Sequence, residues 1–273
     1  RLREVLEEVR RQVAKAAVGE AVDVDRHRAK ALRVEPRASL GGDGPDFRPQ
    51  EAARFGHAGG NVTITSHQAL VVFDEIQSGF GRTGNMFGST TFDIKPDILT
   101  MSKQITSSYF PFSAFMINDR VYQPIADESG RIGVLGHGYT GGGHPVGAAV
   151  ALENIKIIEE RDLVANAAER GAELQAGLTD LTSHPLVGEA RGIGLIGALE
   201  LIAPEGKSGD FAPGKLGAQM NAIMLRNGLI SRNMTDAMAF CPPLIVGAND
   251  VREIIQITKK SLEELAADIN GAA

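Results

Sequence analysis

A chain of 273 residues with 43% hydrophobic residues is long enough for one large α/β domain, or for a medium domain with a smaller one attached. No apolar run approaches the roughly 20 residues needed to cross a bilayer, and the charged opening stretch RLREVLEEVRRQVAK has no apolar signal-peptide centre, so neither a membrane span nor export is supported. A formal charge of -6 argues against a nucleic-acid surface, and the single cysteine, Cys241, excludes an internal disulfide and fits a reducing cytoplasm. Small molecules and copies of the chain itself are the expected partners.

In chain order, the first sixty residues hold 12 of the 28 Lys and Arg and only two aromatics, Phe47 and Phe55, so this segment buries little. Leu2, Val5, Leu6, Val9 and Val13 follow helical spacing and predict an amphipathic helix over 2 to about 17. Residues 34–60 read as loop or disorder. From Gln68 onward short apolar runs alternate with turns and helices, the pattern of a mostly parallel sheet. ALVVF (69–73), DILTM (97–101) and SAFMI (113–117) each read as strands buried on both faces. A long helix follows HPVGAAVALENIKIIEE, a second spans 162–182, and GIGLIGALELI (192–202) opens a new strand. Then come a helix over 215–226, strands near 229–233 and 238–246, and a closing helix from about Asn249 to Ile269. The division predicted is an unplaced segment 1–60, a partial large domain 61–175 and a small α/β domain 176–273.

Two strands end in opposite charges. VVFDEIQSGFGRTG places Asp74 and Glu75 at the carboxyl end of the first, where ligands bind in open α/β sheets. PDILTMSKQ places Lys103 at the end of the second, where a lysine is costly unless it is paired, exposed or neutralised by covalent chemistry. Taken alone, Asp-Glu also reads as a helix cap or solvated turn, and Asp74 with Lys103 as a structural ion pair. A third stretch, GYTGGGHP (138–145), sets Thr140 before three glycines and a helix start, groups that can donate to an anion such as phosphate. A carboxylate, a lysine and a phosphate-binding threonine together describe pyridoxal phosphate (PLP): the carboxylate keeps the pyridine nitrogen protonated, the lysine forms the Schiff base, and the ring accepts electrons. His144 reads as a turn residue and Cys241 as a small core residue.

These stretches, with HPLVGEARGIGLIGALEL and RNGLISRNMTDAMAFCPPLIV, run from about 70 to 265 and resemble the class III aminotransferases of PLP fold type I. The 29-residue interval from Asp74 to Lys103 is similar to the family's. The resemblance implies a partial fold type I large domain plus a smaller carboxy-terminal α/β domain. It implies that Asp74 pairs with the pyridine nitrogen, that Gln77 lies at the ring edge near its hydroxyl, and that Lys103 carries the cofactor and shuttles protons. It implies that Thr140 reaches the phosphate of a cofactor held mainly by the other subunit of a homodimer, and that Arg232 binds a substrate carboxylate. A planar guanidinium suits a two-point carboxylate clamp; a strand arginine on a solvated face is the plainer reading. SKQITSSYFPFSAFMINDRVYQPIADESG is most similar to the ω-amino acid:pyruvate transaminases, which implies amino transfer from an amine or ω-amino acid to a keto acid such as pyruvate.

The sequence also departs from that family. Its members are longer at the amino end, where a Gly-Ser helix start grips the phosphate and an aromatic residue stacks on the ring. Neither is evident here: the first tyrosine is Tyr109 and the chain has no tryptophan. The departure implies weak PLP binding and slow turnover. The reading from another class is an inactive aminotransferase-like chain that serves as a binding or dimerising subunit.

Overall fold

The computed structural model describes residues 53–57, 60–64, 70–136, 140–204 and 211–271. The helix expected over 2–17 lies outside them. Within the stretch read as loop or disorder, β1 (Ala53–His57) pairs antiparallel with β2 (Gly60–Ile64), His57 opposite Gly60. That is a correction, and its reason is local: only Ala58 and Gly59 separate the strands, the length of a tight hairpin.

The chain divides into two compact units, one of residues 1–80 and 86–160, the other of 81–85 and 161–273. The first unit's three-stranded sheet has the order β3 (Val72–Asp74), β4 (Ile98–Met101), β5 (Ala114–Ile117), with β3–β4 parallel and β4–β5 antiparallel. Asp97 ties the starting end together. Its buried carboxylate accepts from Val71 N–H at 2.8 Å and Asn118 Nδ2 at 2.8 Å, and Arg120 lies 3.5 Å away. Around the sheet lie α1 (Gly88–Thr91), α2 (Asp119–Ile132) and α3 (Pro145–Glu160). In α3, Ala148, Ala151, Ile155 and Ile158 form the buried stripe that periodicity demands.

The strands are not buried on both faces. Register puts Phe73, Leu99, Met101 and Met116 on the covered face, and Val72, Asp74, Thr100 and Phe115 on the other. Val72 is 59% exposed and Phe115 54%. Both lie on outer strands of a sheet that has three strands among the described residues, so their apolar composition outruns the cover available.

The second unit is an antiparallel sheet ordered β6 (Val187–Ile193), β7 (Ile196–Leu201), β9 (Ala237–Phe240), β8 (Arg232–Met234). It carries α4 (Leu163–Asp180), α5 (Lys215–Arg226) and α6 (Ala248–Gly271). The segment read as one strand from 192 is the end of β6, the hairpin turn at Gly194 and Leu195, and β7. Gly171 on α4 allows that turn to approach, since a β-carbon there would lie 2.6 Å from Gly194 backbone. Gln175 Nε2 then donates to the carbonyls of Gly194 and Ile196 at 2.8 and 3.0 Å. Cys241, expected in the core, is exposed, because β9 ends at Phe240 and Pro242 and Pro243 follow. Among the described residues no helix is long and apolar enough to cross a membrane.

One prediction arises from His184, after α4. Its Nδ1 accepts the Leu186 N–H at 3.2 Å, which requires an unprotonated nitrogen. Partial burial pushes its pKa below the ordinary 6.5, with Glu263 pulling the other way. The folded chain therefore binds this proton less readily than the unfolded one. The stability contributed is complete above about pH 6.5 and is lost as pH falls through the lower folded value. Chemical denaturation at about pH 7.5 and about pH 5 should show His184→Gln narrowing the gap between the two midpoints; an unchanged gap would contradict this.

Candidate active site

The first unit brings three of the expected residues to one end of one strand pair. Asp74 closes β3 with Thr100 as its register partner on β4, and the Glu75 N–H continues the ladder to the Thr100 carbonyl at 2.9 Å. Lys103 stands three positions beyond Thr100, at the head of a 3-10 turn, Lys103–Ile105. Parallel pairing thus puts the carboxylate and the amine at the same, carboxyl, end, and Gln77 follows in the turn after β3. All three side chains are exposed.

Asp74 is half committed. Its Oδ1 accepts the Ile76 N–H at 2.9 Å, and Oδ2 has no hydrogen bond among the described residues. Asp74 and Lys103 form no ion pair among those residues. Lys103 has φ +45°, in the left-handed region that a β-carbon makes costly, and Ser107 and Ser108 share it at +48° and +63°.

Glu75 has a different role. It is 0% exposed, and its carboxylate accepts from Ser78 Oγ at 2.5 Å, Gly88 N–H at 2.9 Å and Ser89 N–H at 2.6 Å. The last two are the opening amides of α1, so Glu75 caps that helix from across the fold. Between Ser78 and Gly88 the chain sends residues 81–85 into the second unit, where the Arg82 carbonyl accepts the Leu195 N–H at 3.0 Å. Glu75 gathers both ends of that excursion, with Phe80 and Phe87 edge to face at 5.5 Å. Sequence reasoning named Glu75 only beside Asp74, because its partners lie 13 and 14 residues on.

Thr140 is exposed in the turn before α3. Gly147 in the first turns of α3 lets Phe110 and Phe112 lie against the helix, where a β-carbon would stand 2.6 to 3.0 Å from their rings. His144, just before α3, stacks on Phe110 at 5.3 Å. Arg232 belongs to the second unit, where it opens β8 with its side chain exposed.

A carboxylate and an amine thus stand at the carboxyl ends of adjacent parallel strands, the end at which ligands bind in open α/β sheets. The chain matches the family described as Aminotransferase class-III over residues 31–262, and it belongs to that family, whose members depend on PLP. It is 40% identical over 208 residues to the diaminobutyrate–2-oxoglutarate transaminase of Halomonas elongata, covering 75% of this chain and 44% of that protein. With the putrescine–pyruvate aminotransferase of Pseudomonas aeruginosa it shares 37% over 207 residues, 76% of this chain and 44% of that one. Among solved structures, the omega transaminase of Pseudomonas jessenii in complex with PMP superposes with a TM-score of 0.69 at 45% identity, over 78% of this chain and 50% of that one. The chain thus spans less than half the length of the curated relatives it matches. The α/β architecture is that of the fold type I transaminases, and the family match begins at residue 31, well ahead of the first motif at β3.

Proposed function

We propose that this chain binds PLP at the Asp74–Lys103 strand ends and transfers an amino group from an amine or ω-amino acid to a keto acid such as pyruvate. The observation that carries the reading is the shared carboxyl end of β3 and β4, with Asp74, whose Oδ2 has no hydrogen bond among the described residues, and Lys103, strained and without an ion pair among them, both there. The donor set fits the group: a carboxylate for a protonated ring nitrogen, a primary amine for an aldehyde carbon, and a hydroxyl for phosphate. When bound, PLP supplies an electron sink for charge developing at the substrate carbon.

The chain's own residues do the rest. Ile76 N–H steadies Oδ1 of Asp74, Oδ2 would accept from the protonated ring nitrogen, and Gln77 would lie at the ring edge near its hydroxyl. Lys103 Nζ would hold the cofactor through its primary amine and, once released, would carry the proton at the substrate carbon. Thr140 would donate to the phosphate of a cofactor held mainly by the partner in a cytoplasmic homodimer. Arg232 clamps the substrate carboxylate with two parallel N–H donors. The relatives differ in acceptor, one named for 2-oxoglutarate and another for pyruvate, and pyruvate rests on the stretch from Ser102 to Gly130.

The test is alanine formation from pyruvate and an ω-amino acid while PLP is titrated. The expected result is weak binding and slow alanine production that requires both substrates and PLP, because residues 1–69 offer neither tyrosine nor tryptophan to stack on the ring. No alanine at saturating PLP would favour the binding or dimerising subunit. Tight binding with brisk turnover would mean that residues 1–69 build a phosphate and ring site of their own. In the same assay Arg232→Ala should weaken pyruvate by about 2–5 kcal/mol relative to a neutral amine donor. Equal losses for both substrates would contradict the clamp.

A further inference from the structure

We propose that Asn154 is the positioning residue for Lys103, holding from α3 the left-handed turn that aims the lysine. The proposal rests on the reading of Lys103 as the PLP lysine.

The turn has a problem to solve. Lys103, Ser107 and Ser108, all with β-carbons, adopt positive φ within six positions, and the two bonds to the Lys103 carbonyl, from Thr106 and Ser108 N–H, are long at 3.3 Å. A backbone of that kind persists only where surrounding structure fixes it. Thr106 Oγ1 donates to the Phe110 carbonyl at 2.7 Å within the turn, and Asn154 fixes it from outside. Its Nδ2 donates to the carbonyl of Gln104 at 2.6 Å and to that of Ile105 at 3.2 Å, the two residues directly after Lys103. Its Oδ1 accepts the Ser107 hydroxyl at 2.7 Å, and Ser107 Oγ accepts Gln104 Nε2 at 2.8 Å. The circuit closes on itself and sets the amide's orientation, since a flipped Asn154 would aim oxygen at two carbonyls.

The base of the clamp is firm. Asn154 adjoins Ile155, which is fully buried, on a helix of 16 residues. An asparagine inside a helix contributes little to helix formation, and here its whole amide is spent on the turn. The exposed side chain of Lys103 makes no ion pair among the described residues, so the backbone alone sets where its Cα–Cβ bond starts. Losing the clamp should misdirect Nζ while β3, β4 and α3 keep their packing.

The experiment uses the full chain, Asn154→Ala, and Asn154→Asp, which keeps the size and the acceptor for Ser107 but turns oxygen toward both carbonyls. Each protein is incubated with PLP, reduced with borohydride and peptide-mapped, and labelling of Lys103 is expressed relative to exposed Lys95 of the same unit. Amide hydrogen exchange is measured in parallel without PLP. Both variants should lose about tenfold or more of the Lys103-to-Lys95 ratio, with faster exchange over 104–109 and unchanged exchange in α3. Equal ratios in all three proteins would overturn the proposal, whatever exchange does. A parent chain labelled only at other lysines would overturn the reading of Lys103 itself, a result distinct from any effect of the variants.

Discussion

Replacing Glu75 with alanine is expected to destabilise the first unit by about 3–5 kcal/mol, a large share of the roughly 5–15 kcal/mol that holds a domain together. The carboxylate has no exposed surface and accepts from Ser78, Gly88 and Ser89. Its loss strands two buried N–H groups at the start of α1, where each bond to an ionised acceptor is worth about 1.5–3 kcal/mol. Glu75→Gln keeps the shape and one acceptor, so it should cost roughly half as much. Urea denaturation of the three proteins checks this. An alanine variant within about 1 kcal/mol of the parent would contradict the clamp.

Lys103→Ala should abolish the visible absorbance that PLP acquires on binding and lower alanine formation by about a thousandfold or more. The magnitude follows from the two duties proposed for one nitrogen, covalent attachment and proton transfer, neither of which water would perform in a fixed geometry. Stability should move little, since the side chain is exposed and makes no ion pair among the described residues. The pairing of large catalytic loss with small destabilisation is the reverse of what Glu75→Ala predicts. An alanine variant with turnover within about tenfold of the parent would contradict the assignment of the proton transfer to Lys103.

The carboxyl-end pair was legible because apolar runs end abruptly in charges: ALVVF in Asp74, and DILTM, two residues on, in Lys103. Helices α3, α5 and α6 were legible for the related reason that their apolar spacing is strong and their ends carry glycine, proline or charge. What escaped depends on contacts distant in sequence or on weak local signals. Strand β6, VGEARGI, mixes two glycines with a Glu and an Arg, and forms because β7 offers it a hairpin partner. Helix α2 contains Pro124 and buries no residue, so its sequence resembles a loop. Asn154 has no signal of its own, because an asparagine on a helix gains meaning only from the carbonyls it reaches about fifty residues back. The double burial expected of the strands failed for a related reason: composition reports how apolar a strand is, and says nothing of how many neighbours cover it.

The most direct measurement is a peptide map of the parent chain after PLP incubation and borohydride reduction. If Lys103 is the PLP lysine, a pyridoxyl group forms on it, rises with PLP concentration and is suppressed when an amine substrate competes. Label confined to other lysines, with Lys103 unmodified at saturating PLP, would contradict that assignment.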